Sequence, residues 1–139
     1  MKYLLDTCVL SELTKQRPSE AVLSWLTAQD PKTLYLSSLT IGELKKGIVK
    51  RGGDIRARRL ERWLADKVLR FYGDRIIPVA CDESLTWGVI CGNAERNGAK
   101  RPSVDALIAA TALTHHMTLV TRNVNDMSGM GVSILNPFE

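Results

Sequence analysis

At 139 residues, with 45% hydrophobic and 24% charged side chains, the chain reads as one ordinary globular domain, 1–139, and not as a fibrous or disordered one. No apolar run approaches the roughly 18 residues of a membrane span, and Asp6 interrupts the short apolar stretch near the start, so neither signal peptide nor membrane contact is expected, and the expected location is cytoplasmic. The net charge is only +4, the three cysteines lack C-x-x-C spacing and the two histidines are adjacent, which argues against a disulfide framework or a zinc centre and leaves His115 for a helix C-terminus.

Lys2–Leu5 is the first predicted strand, ending on Asp6-Thr7, and Val9–Leu13 begins a helix that Pro18-Ser19 breaks. A second helix over 19–29 carries Val22, Leu23 and Leu26 at helical spacing. Asp30-Pro31 signals a turn, Thr33–Ser37 a second strand, and 40–51 a helix. Gly52-Gly53 reads as a flexible hinge. Beyond it Leu60, Trp63, Leu64, Val68 and Phe71 form one apolar stripe, predicting an amphipathic helix over 55–71 with Trp63 in the core.

Arg75–Val79 is a third strand, which Pro78 assigns to an edge or strand end. A helix over 83–97 stops at Asn97-Gly98. Pro102 then opens the least polar helix, Ser103–His115, followed by strands at Thr118–Thr121 and Val132–Leu135. Strands alternating with helices predict an α/β fold, a mostly parallel sheet sandwiched between helical layers.

Function turns on polar residues placed where such a fold puts chemistry. Asp6 follows strand one, Glu43 lies in the first turn of the helix after strand two, and Asp105 opens the most apolar helix. Asn123 and Asp126 follow strand four. Carboxyl ends of parallel strands converge on one rim. Each residue also has a plain structural role open to it. Asp6 can cap a helix, Thr40-x-x-Glu43 fits a capping box, Asp105 complements a helix dipole and Asn123 suits an Asx turn. Acids gathered at one rim repel each other, and a hard divalent cation relieves that repulsion: oxygen ligands suit Mg²⁺ or Mn²⁺, which activates water and offsets phosphodiester charge.

Residues 45–70 add ten basic side chains against three acidic ones. That local excess suits a phosphate backbone, an acidic protein segment or simply a solvated face. A dinucleotide-binding turn is excluded by the lack of glycine in "DTCVLSEL". A phosphoaspartyl enzyme of the haloacid dehalogenase type needs an Asp where Cys8 stands.

From end to end the sequence resembles the PIN-domain ribonucleases, and among them the VapC-type toxins of bacterial toxin–antitoxin pairs. The resemblance rests on "LLDTCVLSEL", "LYLSSLTIGELKKGI", "VDALIAATALTHHMTLVTRNVNDM" and "GVSILNPF". It implies a PIN domain over 1–139 and an Mg²⁺- or Mn²⁺-dependent endoribonuclease with an RNA substrate. It also implies a homodimer, and a cognate antitoxin that silences the toxin in a hetero-oligomer. By position Asp6, Glu43 and Asp105 match the family's three acids, which hold the metal, and the fourth catalytic position falls to Asn123 or the nearby Asp126. Thr7, Ser38 and Thr121 are candidate hydroxyl partners of the carboxylates, while Lys45, Lys46 and Arg122 are candidate RNA or antitoxin contacts. The alternative is a PIN-like module that binds RNA or a protein without cutting.

Overall fold

Five short strands and the helices between them make up the computed structural model, which describes residues Met1–Glu139. In chain order these are β1 (Tyr3–Leu5), α1 (Thr7–Glu12), α2 (Glu20–Thr27), β2 (Leu34–Ser37), α3 (Ser38–Lys50), α4 (Ile55–Trp63), α5 (Arg70–Tyr72), β3 (Ile76–Ile77), α6 (Cys81–Arg96), α7 (Ser103–Thr114), β4 (Thr118–Val120), α8 (Val124–Met127) and β5 (Ile134–Leu135). The sheet order is β3-β2-β1-β4-β5 and every pairing is parallel. From β1 the chain steps outward through β2 to β3, then crosses to the other side of β1 for β4 and β5. The order therefore reverses between β1 and β4, where a parallel sheet opens a crevice beyond its carboxyl ends.

Successive strand residues point to opposite faces. Leu5, Leu36 and Val120 pack with Val9, Leu10, Leu44 and Val68 on one side. Leu4 and Leu119 pack with Ile108, Ala109, Ala112 and Met127 on the other. Because helices cover both faces, the strands read as unbroken apolar runs without alternation. The α/β sandwich expected from the sequence is the one found, with β3 at an edge just before Pro78.

Several boundaries differ for local reasons. Asp6 caps α1 directly, so that helix starts at Thr7 and not at Val9. Ser37 accepts the Leu39 N–H at 3.1 Å and starts α3 at Ser38, which moves Glu43 from the first turn to the second. Glu83 accepts the Ala80 N–H at 2.9 Å, starting α6 at Cys81. Gly52 and Gly53, at φ +76° and +83°, close a tight turn between α3 and α4.

The single amphipathic helix expected over 55–71 is interrupted. After α4 the backbone widens into a π-helical stretch, Leu64–Leu69, before α5. A π turn takes more residues per revolution than an α turn, so it rotates the buried face. Phe71, expected in the apolar stripe, is 50% exposed, and Tyr72 takes the buried place at 6%.

Candidate active site

Asp6 leaves the end of β1 with its carboxylate buried at 4% exposure. Its Oδ1 accepts the Thr7 N–H at 2.8 Å, and its Oδ2 accepts the hydroxyl of the fully buried Thr121 at 2.8 Å. Thr121 stands at the end of β4, so the bond spans the point where the sheet order reverses. The Thr121 hydroxyl also accepts the Asn123 N–H at 2.9 Å. The turn after β4 is thus formed by a threonine hydroxyl, and the Asx turn open to Asn123 is not made.

Glu43 reaches the same rim from α3. Its Oε1 accepts the Thr7 hydroxyl, and the buried Thr40 hydroxyl lies 3.2 Å from the Thr7 oxygen. The Thr40–Glu43 capping box does not form, because Ser37 caps α3 and Glu43 turns instead to Thr7. Asp105, in the first turn of α7, carries no side-chain hydrogen bond within the chain.

The electrostatics tie these groups together. Burial pushes the Asp6 carboxyl above its usual range against the hydrogen bonds from Thr121 and Thr7, and the charge of Glu43 adds to the rise. Burial also raises Asp105, reinforced by repulsion from Asp6, Asp126 and Glu43. None of these four acids forms a salt bridge, whereas Glu12, Asp54, Glu61 and Glu83 all do. The rim therefore holds a set of carboxylates within electrostatic reach of one another, none of them paired with a basic side chain.

No three His, Cys, Asp or Glu side chains enclose an ion by themselves. The donors are hard oxygens at four separate places in the fold, the end of β1, α3, α7 and α8, with lone pairs still free on each carboxylate. Such a set fits a cation that keeps several waters, Mg²⁺ or Mn²⁺, better than one that demands a closed protein cage.

The other expected residues are distributed unevenly. Thr7 and Thr121 hold the acids, but Ser38 makes no side-chain hydrogen bond to them, and its neighbour Ser37 does the capping. Lys45 is tied to Glu61 on α4 at 2.7 Å, while Lys46 is exposed and free of ion pairs. Arg122, Asn123 and Asp126 line an open polar depression of about 680 Å³ that borders the rim through Asp126, whose charge acts on Asp105, and that Asp6, Glu43 and Asp105 do not line.

Sequence reasoning passed over Glu12 and Cys8. Glu12 is buried, accepts the Ser19 N–H at 2.9 Å and pairs with Lys15 at 2.9 Å and Arg122 at 3.6 Å. Cys8 receives the Arg122 N–H at 3.5 Å, 3.9 Å from Asp6 Oδ2. The i,i+3 spacing of Glu12 and Lys15 was the local signal available for Glu12, while its pairing with Arg122 depends on the fold.

Comparison with known proteins identifies the family. A family model described as PIN domain matches residues 3–128. Over 136 residues the chain is 35% identical to the VapC ribonuclease Y4jK of Sinorhizobium fredii, covering 98% of this chain and 97% of that one. It is 30% identical over 135 residues to the toxin FitB of Neisseria gonorrhoeae, covering 97% of each. The crystal structure of FitAcB from Neisseria gonorrhoeae superposes with a TM-score of 0.92 at 30% identity, covering 99% of both chains.

Proposed function

This chain belongs to the PIN-domain family, and on that premise we propose that it is a metal-dependent endoribonuclease, the toxin of a toxin–antitoxin pair. The observation that carries the reading is the convergence of Asp6, Glu43 and Asp105, without a cationic partner, where the sheet order reverses. A protein that only bound RNA would gain nothing from crowding carboxylates against a polyanion.

In this reading Asp6, Glu43 and Asp105 hold Mg²⁺ or Mn²⁺, with Asp126 or Asn123 completing the set. When bound, the ion supplies charge neutralisation at the phosphodiester and lowers the pKa of water. Thr7 and Thr121 orient the Glu43 and Asp6 carboxylates, as partners of metal ligands do elsewhere. One carboxylate takes the proton of the attacking water. Lys46, exposed and free of ion pairs, holds the RNA backbone or a protein partner near the rim. No step needs a histidine, and both histidines lie at the far end of α7.

Two surfaces support the proposed partners. An apolar groove of about 310 Å³ runs between α1, α2 and the α4–α5 helix, lined by Leu13, Leu26, Trp63 and Phe71, with Lys67 at its edge. Arg56 and Arg59 flank its continuation past Trp63. An apolar segment bearing acids, as expected of an antitoxin tail, suits it. Leu85 and Val89, on one face of α6, are 66% and 63% exposed; they suit a homodimer contact. No helix is long and apolar enough to cross a membrane.

The test with a readout besides activity is thermal unfolding with and without Mn²⁺. At a hundredfold excess over the dissociation constant a single site adds about 2.7 kcal/mol. The reading expects a rise in melting temperature that Asp6→Asn abolishes. No rise in the unsubstituted protein contradicts it and favours a non-cutting binder.

A further inference from the structure

Resting on the reading of RNA as substrate, we propose that the depression bordering the rim is a nucleobase subsite, in which one base of the bound strand stacks on the Arg122 guanidinium. The Arg122 Cζ stands 3.9 Å from the centre of the Phe138 ring. Its Nη2 is 3.6 Å from Glu12 Oε1, and its backbone N–H points to Cys8 Sγ at 3.5 Å. Ring and carboxylate hold the flat group, and the thiol holds the backbone that carries it. The side chain is nevertheless 52% exposed, so a face of the guanidinium remains open beside the depression.

The lining decides what fits there. Arg122 is joined by the amides of Asn123, Asn125 and Asn136 and by the carboxylates of Asp126 and Glu139. One cation against two anions does not favour a second phosphate. It suits a neutral, flat group rich in hydrogen-bonding edges. Unpaired RNA bases stack on arginine planes and aromatic rings and are read by hydrogen bonds to their edges. The volume, about 680 Å³, lies within the roughly 300–1,000 Å³ range of small-ligand sites.

The edge chemistry also selects among bases. Carboxylates only accept hydrogen bonds, so a base with an exocyclic amino group is favoured, and uracil, with two carbonyls and one N–H, is disfavoured. Asn123 directly follows the rim residues Thr121 and Arg122, which puts the selected base next to the phosphodiester being cut.

The experiment has two arms on the full chain. In the first, Asp6→Asn protein is incubated with a random-sequence RNA pool and the bound RNA is sequenced. In the second, unsubstituted protein cuts the same pool with Mn²⁺ and the product ends are sequenced. Both are repeated with Arg122→Lys, which keeps the charge but loses the plane, and with Asn125→Ala, after checking that each melts normally. The expected result is depletion of uridine at one position beside the cut, about fivefold or more, that collapses in both variants. Cutting without base bias, or with bias unchanged in the variants, overturns the subsite and leaves the nuclease reading standing. Weakening that is uniform over all sequences assigns Arg122 to a phosphate and also overturns it. Neither binding nor cutting removes both together.

Discussion

The hydroxyl of Thr7, the first residue of α1, donates to the carboxylate of Glu43 in the second turn of α3. One residue after the β1 acid, the chain thus fixes the acid of the next βα unit. Asp6 is fixed in parallel by Thr121 from β4. The acids of β1 and α3 are therefore aimed by neighbours on other elements.

Thr7→Val keeps the shape of the side chain and removes that donor. Groups that orient metal ligands typically change metal affinity or activity by about 10–100-fold. A loss of that size in cleavage, with a smaller Mn²⁺ stabilisation, is expected, and Thr7→Ser should restore most of both. The measurement is paired cleavage rate and melting curve. Equal activity of Thr7→Val and the unsubstituted chain rules the contact out as functional.

Thr121→Val leaves the Asn123 N–H and Asp6 Oδ2 without their shared partner at a fully buried position. Losing a buried hydrogen-bond partner costs about 1–3 kcal/mol, so denaturant unfolding should detect a stability loss of that order. Because the same hydroxyl holds Asp6, cleavage should fall as well, and Thr121→Ser should recover both.

Asp6 and Asp105 titrate above their ordinary value in the folded chain. For acids raised on folding, the native state binds protons more tightly than the unfolded one. The stabilising effect of protonation is complete below the ordinary carboxyl range and is lost as pH rises through the folded values. In the absence of metal, Asp105→Asn should thus melt higher than the unsubstituted chain at pH 7, by about 1–3 °C, with the gap closing in acid. Added Mn²⁺ should reverse the order. A variant that melts lower at neutral pH without metal would falsify the mutual-repulsion account.

The opposite sign holds at Glu83. Burial works to raise its carboxyl, but the Ala80 N–H and His115, at 2.6 Å, outweigh it and the net shift is downward. Its contribution is present above the ordinary glutamate range and is lost as pH falls through the folded value. Glu83→Gln should cost on the order of 1 kcal/mol at pH 7 and flatten the acid limb of the stability curve, while leaving the rim acids unchanged. Stability against pH, followed by circular dichroism, checks it.

Much of this was legible in the sequence. Strand one, the apolar Ser103 helix and the strand at Thr118–Val120 appear where apolar runs and cap residues placed them, whereas the Thr121 hydroxyl that forms the following turn left no local sign. Asp6, Glu43 and Asp105 come together because parallel strands send their carboxyl ends to one rim, which is a consequence of topology. What was not legible depended on contacts far apart in sequence. Nothing local in Thr40-x-x-Glu43 reveals that Ser37 starts the helix and that Glu43 answers to Thr7. The π turn at Leu64–Leu69 leaves no mark in a periodicity count, so Phe71 and Tyr72 exchanged places. The Arg122–Phe138 contact joins a strand end to the last turn of the chain, and no spacing rule anticipates it.

The most direct test of the central claim is cleavage of a mixed tRNA and ribosomal RNA pool by the purified chain, with Mg²⁺ or Mn²⁺, with EDTA, and with Asp6→Asn beside the unsubstituted protein. The account predicts cutting that needs the metal and disappears in the variant. Cutting that survives EDTA or Asp6→Asn would contradict it, as would the absence of both cutting and Mn²⁺ stabilisation, which would leave Asp6 only its place as the cap of α1.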